Sequence, residues 1–542
     1  MIMTYGSDPL TRISTRRTPQ SRPATPDQVP NHAGGHVFEI TPEQRLRRFL
    51  IIGTDGGTYY QDEAELTREN AQVVIDFAAE DPVRLVEIVR EVSLAGRAPK
   101  QNPTIFALAV AAAADRPEGR AAAFAAMPEV LRTGTHLMLF AKYVQQFRGW
   151  GSGLMRAGRR WYEAKDIDAL TYQLVKYRSR EGFSQRDLLR LIHPKTDDQL
   201  RNALYRWVTQ DELSYQLPRL VHGFVAAQAA ASAADWVRLI KDYGLSWEML
   251  PDAALTEREV WQALVEVGLP MTALIRQLPR LTRLEVIGNA LRDGDRTIDV
   301  VAQLTDPELL SRARIHPFNV LVALRTYAAG RSFRGSSTWT PARPVLDALD
   351  AAFYASFGNV VPANRRTMIG LDVSGSMGVT IAGSPLTARE ASAAMSMITV
   401  ATEPRTAVYG FTAGGAGWRS AALTELAIGP RQRLENVIDS VSRLPFGGTD
   451  CALPMIKALE DGLEVDTFMI LTDNDTWAGQ IHPHQALQAY RRETDIAARL
   501  VIWAMTSSGF SIADPADRGM MDLVGVDSAS PQLVADFSRG DI

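Results

Sequence analysis

The segment Leu371-Asp372-Val373-Ser374-Gly375-Ser376 sets one carboxylate and two hydroxyls at i, i+2 and i+4, directly after an apolar run that reads as a strand. Two further oxygen-bearing segments follow: Gly447-Gly448-Thr449-Asp450, then Leu471-Thr472-Asp473-Asn474-Asp475 at the end of a later strand-like run. A hard divalent cation such as Mg²⁺ takes about six oxygens at ~2.1 Å and keeps several waters, so a few carboxylates and hydroxyls suffice. The bland alternative for Asp-x-Ser-x-Ser is an Asx or Ser turn capping the next helix. Thr449 and Asp473, arriving in order after strands, favour the metal. Asp372, Ser374 and Ser376 are candidate ligands for Mg²⁺ or Mn²⁺, and Thr449 and a carboxylate of the last segment could complete the set. A metal-dependent nuclease built on Asp372, Asp473 and Asp475 fits less well, because two-metal hydrolysis wants clustered carboxylates and this set is rich in hydroxyls.

A second concentration of chemistry is cationic. Residues 142–195 hold 12 Lys/Arg against five Asp/Glu. Arg156, Arg159 and Arg160 stand at i, i+3 and i+4, on one helix face, and Lys176 and Arg180 repeat the i, i+4 relation before Gly182, which can end that helix. Ser184 with Asp187 three residues on predicts a capped helix start. Along that helix Arg186, Arg190 and His193 fall at i, i+4 and i+7, facing solvent, while Leu188, Leu191 and Ile192 face inward. A row of forked donors suits phosphate recognition; a solvated charged face is the competing reading.

These groups need a scaffold. After Asn364, strand-like runs at 367–373, 406–411, 466–471 and 500–506 alternate with helical stretches at 387–402, 434–444, 452–461 and 484–494. That alternation predicts a doubly wound α/β domain over 363–542, with ligands collected at the strands' carboxyl ends. From 38 to 362 the sequence is rich in Ala, Leu, Arg and Glu and punctuated by Pro and Gly, as side-by-side helical hairpins require. Residues 1–37 carry five prolines and little aliphatic mass, which predicts a flexible tail.

Composition narrows the function classes. The 542 residues are 46% hydrophobic, enough for several packed domains. The formal charge of −4 conceals an acidic C-terminal region, where 363–542 has 14 Lys/Arg against 21 Asp/Glu. Cys451 is the single cysteine, so intramolecular disulfides and cysteine-based zinc or iron–sulfur sites are excluded, and its own role reads as packing. His482-Pro483-His484 reads as a helix start rather than a metal site. The longest apolar run, Ile105 to Ala114, is ten residues, below what a membrane span needs. The expectation is a soluble cytoplasmic protein without a membrane partner.

The oxygen-rich segments together resemble the metal-ion-dependent adhesion site of von Willebrand factor A domains. By that resemblance Ser374, Ser376 and Thr449 bind the metal directly, Asp372 and Asp473 directly or through water, and an acidic group of a partner fills the open position. Longer stretches carry a second resemblance: residues 48–60, Lys176-Tyr177-Arg178-Ser179-Arg180 with residues 188–193, 313–318, 351–354, Gly448-Thr449-Asp450-Cys451, and 512–520. Across 38–542 the chain resembles the Ro autoantigen family. This implies a TROVE module of irregular HEAT-like repeats closed into a monomeric ring, helped by the von Willebrand-type domain.

The resemblance implies a non-catalytic RNA-binding protein. Y-like small noncoding RNA would bind the outer surface, and single-stranded 3′ ends of misfolded or structured RNA would enter the central hole. Lys176, Arg178, Arg180 and His193 carry over as Y-RNA contacts by motif match; helix geometry adds Arg186, Arg190 and Lys195. Arg156, Arg159 and Arg160 are assigned to the hole, with Trp150 either stacking on a base or packing between helices. In bacterial relatives the family implies a scaffold role in RNA quality control, beside a 3′ to 5′ exoribonuclease such as polynucleotide phosphorylase. The competing class is a protein-binding adaptor that uses the metal site and binds no RNA.

Overall fold

The computed structural model describes residues 17–52, 72–98, 100–180, 182–289, 294–313, 315–333, 335–381, 384–412, 423–444, 447–505, 510–525 and 530–541. The resemblance-bearing residues 53–60 and 314, the first 16 of the expected tail and Thr506 lie outside them. The described chain divides into two compact units. One gathers residues from within 1–62, 316–322 and 356–542; the other gathers 63–315 and 323–355.

The second unit is helical, as expected. Its helices begin at local signals: Asp81 accepts from the Arg84 N–H ahead of Pro82–Leu94, Thr133 from His136 ahead of Gly134–Phe147, and Asp198 from Leu200 and Arg201 ahead of Gln199–Gln210. Neighbours in sequence pack together: Pro82–Leu94 lies against both Asn102–Ala113 and Pro117–Val130. All but the last residue of the ten-residue apolar run lie in Asn102–Ala113, where Pro103 to Ala112 are all buried. It is the centre of a helical core. Among the described residues, no helix is long and apolar enough to cross a membrane.

The first unit is built on a six-stranded sheet of order β11-β9-β8-β5-β6-β7, comprising β5 (Arg366–Asp372), β6 (Arg405–Phe411), β7 (Leu423–Glu425), β8 (Thr467–Thr472), β9 (Arg499–Ala504) and β11 (Met520–Val524). All pairings are parallel except β6 with β7. The four expected strands are the four inner ones. The edge strands β7 and β11 were not anticipated, because each is short and interrupted by polar residues, Thr424 and Glu425 in β7 and Asp522 in β11, and so carries no period that distinguishes it from loop. β5 and β8 are neighbours at the centre, with Leu371 opposite Leu471, so the segments leaving their carboxyl ends emerge side by side.

The tail expectation fails over residues 17–37. Gln28–Pro30 (β1) and His36–Glu39 (β2) form an antiparallel sheet with Phe510–Ser511 (β10), and Pro42–Ile52 (α1) follows. The segment has too little aliphatic mass for a core of its own and borrows one: Val37 joins the cluster of Ile481, Phe510 and Ile512. Its polar side chains are matched too, with Gln20, Gln28 and Asn31 all buried. Residues 38–52 likewise belong with the α/β unit, not the helical one.

The same borrowed core buries two histidines at the start of Pro483–Thr494, the helix start expected from the sequence. His482 holds Gln28 at 3.2 Å and the Arg22 carbonyl at 2.8 Å, and His484 packs edge-on against Phe38. Burial first, and His482 second, hold His484 down at about 4. Below pH ~6.5 the unfolded chain binds a proton that the folded ring refuses, so stability drains as pH falls from 6.5 towards 4. Compared with His484→Leu, the wild type is expected to lose about 2 kcal/mol between pH 7 and 5. Parallel pH-independent curves from urea titrations would contradict this.

Candidate functional site

The oxygen set assembles at the carboxyl ends of β5 and β8. Asp372 closes β5 and is 1% exposed; its Oδ1 accepts the Ser374 backbone N–H at 2.8 Å, and its Oδ2 accepts the Thr472 hydroxyl at 2.9 Å. The Ser374 and Ser376 hydroxyls approach to 3.0 Å. Arg389, on the following helix Ala388–Thr402, donates to the Ser374 carbonyl at 3.2 Å and so pins the turn. Thr449 is buried ahead of helix Leu453–Asp461, and its carbonyl takes the N–H groups of Trp477 at 3.0 Å and Ala478 at 3.1 Å. That ties its loop to the one leaving β8.

Burial, then the neighbouring Asp473 carboxylate, pushes Asp372 up to about 7, against the hydrogen bonds from Ser374 and Thr472. A buried carboxylate beside a second one is stabilised by a cation, and an all-oxygen donor set of carboxylates and hydroxyls selects a hard one. The residues present therefore fit Mg²⁺ or Mn²⁺. Asp475 turns elsewhere: it faces His32 at 3.9 Å and accepts the backbone N–H groups of His32 and Ala33. Its use here weakens any nuclease built on three aspartates.

The basic face differs in detail from its expected geometry. Helix α2 (Ser152–Glu163) carries exposed Arg156 and Arg160, while Arg159 donates to the Ile192 carbonyl at 3.0 Å. Helix α3 (Ile167–Lys176) ends at Lys176, so Arg180 is not its i+4 partner on a helix. Ser179–Arg180 (β3) instead pairs with Phe183–Ser184 (β4) through a tight turn in which Gly182 takes φ +81°. The Ser184–Asp187 capping box forms as expected and starts α4 (Gln185–Ile192). Leu188, Leu189 and Ile192 are its buried face, Leu189 in place of Leu191.

The expected solvent-facing row is partly spent inside the unit. Arg186 donates to the Val208 carbonyl at 2.9 Å and pairs with Asp211; Arg190 donates to the Thr209 carbonyl at 2.9 Å. Carbonyls at the end of α5 (Gln199–Gln210) lack helical partners and draw cationic donors. His193 leaves the helical path as a left-handed C-cap at φ +48°, which breaks the i+7 alignment, yet its side chain is exposed. Lys176 lies against Glu248 at 3.1 Å and the Tyr172 hydroxyl at 2.8 Å. Burial works against its charge, and these partners outweigh it, raising its pKa. Arg178 lies 5.1 Å from the Trp207 ring and 5.3 Å from Phe224, where burial lowers its pKa. Arg180 and Lys195 are exposed, and Trp150 is half-buried between Gly134–Phe147 and α2.

Two family descriptions match this chain: the TROVE domain over residues 29–217 and 237–326, and the Ro60 vWA domain over residues 366–538. The chain belongs to the Ro60 family. The RNA-binding protein RO60 of Deinococcus radiodurans is 39% identical over 539 residues, covering 98% of this chain and 99% of that protein. The RNA-binding protein RO60 of Caenorhabditis elegans is 37% identical over 610 residues, covering 97% and 92%. The crystal structure of the Deinococcus radiodurans RO (RSR) protein matches with a TM-score of 0.74 at 39% identity, over 93% of this chain and 100% of that one.

In this Ro60-family chain the residues missed by sequence reasoning are partners rather than ligands: Glu248 for Lys176, Trp207 and Phe224 for Arg178, Asp211 for Arg186, and Gln20 beside Asp450. Each pairs with a residue 25 or more positions away or across an unrelated element. A local pattern carries no trace of such pairs. Cys451 is fully buried and its thiol is pushed up by burial, in keeping with a packing role.

Proposed function

We propose that this chain is a non-catalytic RNA-binding protein of the Ro60 family that holds structured RNA on the basic face of its helical unit. The observation that carries the reading is the exposed set Arg180, His193 and Lys195, displayed on a hairpin and just past the end of a capped helix whose apolar underside is buried. Its relatives in Deinococcus radiodurans and Caenorhabditis elegans, both RNA-binding proteins by name, support it. Because the A-form major groove is too deep and narrow for side chains, binding rests on phosphate, 2′-hydroxyl and shape contacts. The finer reading follows the family: Y-like noncoding RNA on the outer surface, RNA 3′ ends in a central hole lined by Arg156, Arg160 and Trp150, and a cytoplasmic scaffold role for a 3′ to 5′ exoribonuclease such as polynucleotide phosphorylase.

The oxygen set of the α/β unit supports a second, compatible role, in which Asp372, Ser374, Ser376, Thr449 and Asp473 hold Mg²⁺ or Mn²⁺. The bound ion would supply a positive centre for an acidic group of a protein partner. Sequencing the RNA that co-purifies from the native cell tests both. Enrichment of one structured small RNA in the wild type and in Asp372→Asn, and its loss in Arg180→Ala/His193→Ala/Lys195→Ala, is the expected result. No RNA above background, with protein partners lost in Asp372→Asn, would replace the RNA reading with the adaptor.

A further inference from the structure

The N-terminal segment does more than complete a core, because its polar side chains end on the two loops that carry Thr449 and Asp473. Gln20 is wholly buried. Its Nε2 donates to Asp450 Oδ1 at 2.7 Å and to the Ile481 carbonyl at 2.9 Å, and its Oε1 accepts the Thr476 hydroxyl at 2.6 Å. Asp450 is the next residue after Thr449, and Thr476 lies three after Asp473. The Thr476 hydroxyl also accepts the Cys451 N–H at 3.2 Å, closing a loop of bonds through one glutamine.

The seat is tight on both sides. The Gln20 backbone N–H donates to the Gly479 carbonyl at 2.9 Å, and its own carbonyl takes the His36 N–H at 2.8 Å. A Cβ on Gly479 would collide with the Gln20 amide and the Asp450 carboxylate, and one on Gly35 would collide with the Thr476 carbonyl. Asn31 reaches the Thr476 carbonyl through Nδ2 at 2.7 Å. Asp475, between Asp473 and Thr476, is held by the backbone of His32 and Ala33.

We propose that Gln20 is a positioning residue for the divalent-cation site: it sets the spacing of the Thr449 and Asp473 loops, so that cation binding and docking of residues 18–36 are coupled. This rests on the metal reading above. Ligand groups on two separate loops bind an ion well only when their separation is preset, and the glutamine spans that separation with both ends of its amide. Coupling of this kind is reciprocal, so the ion must secure the segment by the factor with which the segment tightens the ion.

Two measurements test it on the full chain. Mn²⁺ titration calorimetry should give at least ~10-fold weaker binding for Gln20→Ala than for the wild type, at a stoichiometry of one lost altogether in Asp372→Asn. Hydrogen exchange of the amides in 18–36 should slow in saturating Mg²⁺ by a comparable factor in the wild type, and not in Asp372→Asn. The exchange measurement needs no change at Gln20 and stands even where that variant fails to fold. Wild-type Mn²⁺ affinity in a folded Gln20→Ala, or a wild type that binds Mn²⁺ without added protection of 18–36, overturns the positioning role and leaves the metal site intact. A wild type that binds no Mn²⁺ overturns both.

Discussion

Arg48→Met is expected to cost the α/β unit about 3–5 kcal/mol, because it strands a buried carboxylate. Arg48 stands on α1, and its guanidinium donates to both Asp522 oxygens, at 2.8 and 3.0 Å, and to the Phe510 carbonyl at 3.0 Å. The two side chains are 3% and 5% exposed, so bulk water screens the pair little. Removing the cation leaves Asp522 buried with the Ser511 hydroxyl at 2.7 Å among its remaining donors. The bond ties the N-terminal segment to β10 and β11, so the loss should be read locally, as faster hydrogen exchange in β2, β10 and β11. The double variant Arg48→Met/Asp522→Leu separates causes: if an uncompensated charge is what hurts, removing the second charge should restore most of the lost stability. Equal losses in the single and double variants would mean that the pair matters through packing alone.

Arg180→Glu/Lys195→Glu is expected to weaken structured-RNA binding roughly 100-fold near physiological salt while leaving the fold unchanged. Both side chains are exposed, and the Arg180 contact is to the neighbouring Ser179 carbonyl, so little internal structure depends on either. On the proposed reading each reversal would remove one phosphate contact and add a repulsion. The slope of log affinity against log salt should therefore flatten by about 2. Lys176 and Arg178 make poor reporters of RNA contact despite their place in the family motif. Lys176→Ala strands Glu248 half-buried, and Arg178→Ala empties a site between Trp207 and Phe224, so lost binding there would mix recognition with folding. Unchanged affinity and slope in the double reversal, with native helicity, would move the RNA surface away from residues 176–195.

Much of the architecture was legible because its causes are local. The Ser184–Asp187 capping box starts α4 at the expected residue, and the four apolar runs supply the inner strands Arg366–Asp372, Arg405–Phe411, Thr467–Thr472 and Arg499–Ala504. Burial on both faces makes such strands apolar throughout, which a sequence displays openly. The edges β7 and β11 lack that signature. The nearness of the oxygen-bearing segments was legible for a related reason: Asp372, Ser374 and Ser376 lie on a single turn, and the parallel pairing of β5 with β8 sets the segment that leaves β8 beside it.

The arginines show where local reasoning stops. Helical spacing placed Arg186, Arg190 and His193 in one solvent-facing row, yet Arg186 and Arg190 bind the carbonyl end of α5 and His193 turns out of the helix. Which cations remain available to a ligand depends on the groups that other elements carry past them, and no spacing rule contains that information. The N-terminal segment shows the same limit more strongly. Its composition correctly says that it has no core of its own, but Gln20 finds Asp450 at a separation of 430 residues. The sequence by itself determined the helical and α/β halves, the inner strands and the capped helix, since each follows from periodicity and capping over a few residues. Only the tertiary structure decided which basic side chains are free and that residues 17–37 are folded, since burial and pairing are properties of surfaces that meet after the chain has closed on itself.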